Sequence, residues 1–191
     1  RLVLTYPVAN VAALRNATLW RTRELTMNDW LTWHLDARTG PKRILSLDGG
    51  GVRGLITLGM LEHVETVLAS RNADPASFRL AHYFDLIAGT STGSIIATAL
   101  ALGMKVGEIA DLYRKLCPKL FNPVARGFWK PVYDYRPLEA ELKSFLGDEQ
   151  LQSEKLLTSL MICAKRIDTG GTWIFTNNPR SKYWDGHDNR H

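Results

Sequence analysis

The stretch "YFDLIAGTSTGSIIATALALGM", Tyr83 to Met104, passes from a short apolar run, through a serine set between glycines, into a longer run of small and branched apolar residues. A short apolar run that ends at a glycine turn has the signature of a buried strand, and the longer run beyond it that of a buried helix. The expected path is a strand through Ala88, a sharp turn over Gly89 to Gly93, and a helix to about Leu102. In a Gly-x-Ser-x-Gly turn the glycines relieve crowding, and the hydroxyl, here that of Ser91, projects from the end of the sheet. Taken alone the pattern is weak, because ordinary polar turns use the same residues.

The arrangement recurs upstream. "RILSL" (Arg43–Leu47) reads as a buried strand, "DGGGVRG" (Asp48–Gly54) interrupts it, and a helix follows from Leu55. Leu58, Leu61, Val64 and Leu68 share one face of that helix, which ends at the polar turn "RNADP" (Arg71–Pro75). Gly49 to Gly54 literally matches Gly-x-Gly-x-x-Gly, so dinucleotide binding has to be weighed. That fold needs an acidic residue ending a second strand about 20 positions on. Here the corresponding region is a helix end and turn, with Asp74 in a poor strand context. A phosphate-binding P-loop also fails, since no Gly-Lys-Ser/Thr follows. What the glycines do provide is bare N–H groups at a helix start, a place suited to an anion or to the oxyanion of acyl transfer. Arg53 adds positive charge to that corner, and the Thr92 N–H offers one more donor at the start of the next helix. A plain strand-to-helix turn with Arg53 in solvent is the competing reading.

Beyond Met104, "VGEIADLYRKL" (Val106–Leu116) reads as a helix, followed by a loop rich in proline and aromatic residues that carries Phe121, Phe128, Trp129 and Tyr133. "PLEAELKSFLG" (Pro137–Gly147) is a helix with proline early and glycine after its end. "TSLMICAKRI" and "TWIFTN" are two strands joined by the turn "DTGG", and a polar tail follows. Strand and helix in alternation argue for an α/β fold: a three-layer α/β/α sandwich on a mainly parallel sheet. Residues 1–40 stand apart as a leader, with Leu25, Trp30, Leu31, Trp33 and Leu35 spaced for a short amphipathic helix docked on the core; residues 41–191 form the domain proper.

With 191 residues and 45% hydrophobic content the chain suits one core rather than two. Cys117 and Cys163 lie in apolar stretches, which points to two buried free thiols and to no zinc site. No apolar run reaches the ~20 residues of a spanning helix, and no signal peptide is evident, so a cytoplasmic location is expected. The formal charge of +5 is dispersed over the chain, which reads as a solvated surface and does not argue for a nucleic-acid partner.

"DGGGVRG" together with "FDLIAGTSTG" resembles the patatin-like phospholipase family, whose members carry these two motifs in this order. The resemblance continues through "YDYRPLEAELKSFLGDEQL" and "MICAKRIDTGGTWIFTN", covering roughly Arg43 to Asn178. Ser94 departs from the pattern, standing where another glycine is common; little consequence is expected of it. The resemblance implies a lipid acyl hydrolase with Ser91 as nucleophile, an oxyanion hole at Gly49, Gly50 and Gly51 supported by Arg53, and Gly54, Gly89 and Gly93 as motif glycines. It also implies a phospholipid or other acyl lipid as substrate, peripheral contact with a membrane, and chemistry that needs neither metal nor cofactor.

The family pairs its serine with an aspartate in a later Asp-Gly-Gly or Asp-Gly-Ala motif, and that motif is missing here. The Asp-Gly pair at Asp185 lacks the small residues that precede the family's aspartate and reads as a coincidental loop. Residues 41–191 are therefore expected to be the front part of the domain, ending before the catalytic aspartate. His187 and His191 follow the serine, as the base of an α/β-hydrolase would, but sit in a polar tail and lack the acidic companions of a metal site. His63 and His82 read as packing or surface residues. The alternatives are a non-catalytic lipid- or anion-binding module, and an inactive fragment of the hydrolase.

Overall fold

The computed structural model describes residues 2–4, 27–120 and 136–181. The aromatic loop with Phe121, Phe128, Trp129 and Tyr133 lies outside these residues, as do Leu25, Asp185, His187 and His191. Among the described residues, five strands, β1 (Leu2–Leu4), β2 (Ile44–Leu47), β3 (Leu86–Thr90), β4 (Ser159–Lys165) and β5 (Thr172–Thr176), form one sheet in that order. β2, β3 and β4 are mutually parallel, while β1 and β5 pair antiparallel at the two edges. The helices are α1 (Met27–Leu35), α2 (Gly54–Ala69), α3 (Leu80–Tyr83), α4 (Thr92–Ala101), α5 (Val106–Leu120) and α6 (Arg136–Leu146). The fold is α/β with a parallel centre.

Register decides which residues meet the helices. Leu45 lies beside Ile87 and Ile87 beside Leu160, while Leu47 lies beside Gly89, so these residues share one face of the sheet. α4 packs on that face, and Leu45, Ile87 and Leu160 are each at most 1% exposed. α2 and α5 pack against each other, and Leu58, Leu61, Ile109 and Leu116 complete the core. Residues of the opposite parity, Ser46, Ala88, Met161 and Cys163, are only half-buried. Cys163 is therefore not the buried thiol that its apolar neighbours suggest; Cys117, on α5, is buried, and burial pushes its thiol pKa up.

Two features were not legible as local patterns. The leader opens with β1, which borrows its hydrogen bonds from β2, more than forty positions away in sequence. α5 runs on through Pro118 to Leu120, where the proline suggested a loop; the helix has no amide hydrogen to donate at that position, but Ile109, Leu112, Leu116 and Cys117 bind it to the core.

The N-terminal end of β3 is closed by a buried polar knot. Asp85, just before the strand, accepts from His34 Nδ1 of α1 at 2.9 Å and from the Arg43 N–H at 2.7 Å, with Lys42 Nζ 3.6 Å away. Burial opposes ionisation of this carboxyl, but the His34 and Arg43 hydrogen bonds outweigh it and hold its pKa below the usual 3.8. Asn177 performs a similar service beyond β5, accepting from Leu160 N–H at 2.7 Å and donating to the Thr158 carbonyl at 3.0 Å.

Candidate active site

Both glycine motifs lie at the C-terminal ends of parallel strands, which is where open α/β sheets place their ligands. β2 runs into Asp48, Gly49 and Gly50, a single 3₁₀ turn follows at Gly51–Arg53, and α2 begins at Gly54. β3 ends at Thr90, and Ser91 is the residue between it and α4. The strands are hydrogen-bonded neighbours, so the two turns stand side by side.

Ser91 has φ 49° and ψ −127°, the one non-glycine residue with positive φ among the described residues. Such a conformation costs on the order of 1–3 kcal/mol and persists only where the surroundings enforce it. The enforcement is visible. A Cβ on Gly93 would lie 2.8 Å from the Asp48 carbonyl oxygen, so α4 presses on the end of β2. A Cβ on Gly49 would lie 2.6 Å from the Ser91 Cβ, so the glycine loop abuts the serine. The Ser91 carbonyl accepts from the Ser94 N–H at 2.9 Å and from the Ser94 hydroxyl at 2.5 Å. Ser94, expected to be of little consequence, thus braces the turn. The Ser91 side chain is exposed.

Hydroxyls of the serine turn also reach across to the glycine loop. Gly49 N–H donates to Thr90 Oγ1 at 3.0 Å, and Gly50 N–H donates to Thr92 Oγ1 at 3.2 Å. The sequence pointed to the N–H of Thr92, whereas its hydroxyl makes this cross-link. Gly51 has φ 56° and the Gly50 carbonyl accepts from Arg53 N–H at 3.2 Å, closing the turn. The N–H groups of Gly51 and Val52 precede the first hydrogen bond inside that turn, the place where helical donors have no internal acceptor. Arg53 is exposed, with its side chain folded near Gly50: Cβ and Nε lie 3.5 and 3.8 Å from where a Gly50 Cβ would be. The buried Tyr113 of α5 donates its hydroxyl to the Gly51 carbonyl. No periodicity in the sequence marks Tyr113 as more than core.

Among the described residues, no carboxylate or imidazole hydrogen-bonds to the Ser91 hydroxyl. His63 is exposed on α2 and His82 is half-buried on α3, as expected of surface and packing residues. Burial first, then Arg79 and His34, lower the pKa of His82. No helix among the described residues is long and apolar enough to cross a membrane.

The chain is similar to several known proteins. The chain is 35% identical over 145 residues to a cGAMP-activated phospholipase of Vibrio cholerae, covering 70% of this chain and 40% of that protein. It is 37% identical over 136 residues to patatin-like protein 2 of Arabidopsis thaliana, covering 62% and 32%. It is 34% identical over 146 residues to patatin group A-3 of Solanum tuberosum, covering 73% and 37%. The chain thus spans about two fifths or less of the length of these relatives. Residues 45–189, which take in both glycine turns and the strands that carry them, match the patatin-like phospholipase family, and to that family the chain belongs.

Proposed function

We propose that this chain carries the nucleophile and oxyanion half of a serine-dependent lipid acyl hydrolase, a phospholipase A or related esterase. The observation that carries the reading is the exposed, positive-φ Ser91 held against a glycine loop at a helix start. In this reading Ser91 Oγ attacks the ester carbonyl carbon while its proton passes to a general base. The carbonyl oxygen becomes an oxyanion, stabilised by N–H groups of the loop formed by Gly49, Gly50 and Gly51, with Arg53 adding positive charge. Of these donors, the Gly49 and Gly50 N–H groups are held by Thr90 and Thr92, so Gly51, with Val52 beside it, is the readier donor. Collapse of the tetrahedral intermediate expels the lipid alcohol, which takes the proton from the base. Water then attacks the acyl-serine and releases the fatty acid.

The base is proposed to be an aspartate from outside the described residues, in keeping with the family. Without one, the serine keeps its proton near neutral pH and the rate falls by about 10²- to 10⁴-fold. The substrate is proposed to be a phospholipid or another acyl lipid presented at a membrane surface.

The test is release of fatty acid from phospholipid vesicles by the natural-length protein and by its Ser91→Ala variant. Release that depends on Ser91 supports the hydrolase. Vesicle binding without release, equal in both proteins, favours the alternative of a non-catalytic lipid-binding module.

A further inference from the structure

We propose that Tyr113 is a positioning residue for the oxyanion loop, setting the direction of its first-turn N–H groups through the Gly51 carbonyl. The proposal deepens the hydrolase reading and rests on it for its kinetic consequences.

Tyr113 projects from α5, which packs against α2, and is 2% exposed. Its ring occupies the space that a side chain on Gly54 would need, with Cζ 2.6 Å from where a Cβ would stand. The first residue of α2 is therefore glycine because the phenol passes there. The hydroxyl donates to the Gly51 carbonyl. Burial raises the Tyr113 pKa, partly offset by Thr92, so the phenol remains a protonated donor at neutral pH.

The geometry of a trans peptide supplies the consequence. The carbonyl of Gly51 and the N–H of Val52 lie in one plane and point in opposite directions. Fixing that carbonyl on Tyr113 aims the Val52 N–H away from the core. The preceding plane joins the Gly50 carbonyl to the Gly51 N–H, and the Arg53 N–H fixes it at 3.2 Å. The plane before that is fixed where Gly50 N–H meets Thr92 Oγ1. The phenol thus holds one plane of the loop, and the Thr92 hydroxyl, directly after Ser91, holds another. The Gly51 carbonyl also accepts from the Gly54 N–H within the turn, and Tyr113 adds a second fixed point from outside a glycine-rich loop that has little conformational preference of its own.

The test is Tyr113→Phe in the natural-length protein, which removes the hydroxyl and keeps the ring. A 1 Å misplacement of a catalytic group costs on the order of 10²-fold, so kcat for fatty-acid release should fall by about 10- to 100-fold with little change in KM. Thr92→Val should lower kcat in the same way, and Thr92→Ser should restore what Thr92→Val loses. Hydrogen exchange should rise in the peptide spanning residues 48–54 and not in the core strands. A merely structural tyrosine would lower the melting temperature without separating kcat from KM. Turnover by Tyr113→Phe within about twofold of the parent overturns the proposal. If the natural-length parent shows no Ser91-dependent turnover, the hydrolase reading fails on its own. Exchange at residues 48–54 then decides the positioning role: raised in Tyr113→Phe it stands, unchanged it falls.

Discussion

The two ends of β3 are built to opposite rules. At its N-terminal end Asp85 is buried and accepts from His34 and the Arg43 N–H. At its C-terminal end Ser91 is exposed, takes a backbone conformation that side-chain-bearing residues avoid, and faces a loop with helix-start donors left over. Five residues of strand separate them. The closed end holds the strand in register, and the open end displays what the strand carries.

Substitutions at the two ends should separate activity from stability. The largest effect expected is on chemistry: Ser91→Ala should reduce fatty-acid release by on the order of 10⁴-fold or more, while thermal denaturation stays close to the parent. A comparable loss of stability would break the contrast. At the opposite end, Asp85→Ala leaves His34 and the Arg43 N–H without their acceptor, and urea unfolding should show a loss of about 3–5 kcal/mol.

The same carboxylate predicts a pH dependence. The folded-state pKa of Asp85 is below the ordinary 3.8, so its stabilisation is complete above 3.8 and is lost as the pH falls through the folded value. The stability gap between the parent and Asp85→Asn, followed by urea unfolding from neutral to acid pH, should narrow only in that acid range. A gap that narrows near neutral pH would contradict this assignment.

A smaller effect is expected where the two turns touch. Gly93→Ala places a methyl 2.8 Å from the Asp48 carbonyl oxygen, which should cost about 1–3 kcal/mol in urea unfolding and disturb the serine turn as well. Smallest is a gain: Ser91→Gly relieves the positive φ and should raise stability by about 1 kcal/mol while abolishing acyl transfer. No gain would mean that the turn holds no strain.

The difference between the ends also explains what could be read from the sequence. β2, β3, β4 and β5 and the helices α2, α4 and α6 follow from short apolar runs, glycine turns and helical spacing, all of which are local signals. Ser91 and the glycine loop were legible for the same reason, as compact motifs at strand ends. The His34–Asp85 contact spans 51 positions and Tyr113–Gly51 spans 62, so neither leaves a periodic trace. β1 is three residues long and is a strand only by virtue of β2. The hydroxyl roles of Thr90, Thr92 and Ser94 were not legible, because a hydroxyl's partner is set by the neighbouring loop and cannot be read from its own surroundings.

Activation of Ser91 as a nucleophile is tested by fluorophosphonate labelling of the natural-length protein, with the adduct located by peptide mass spectrometry. One adduct is expected, on Ser91, that disappears in Ser91→Ala. An unlabelled parent, or an adduct that survives the substitution, would contradict it.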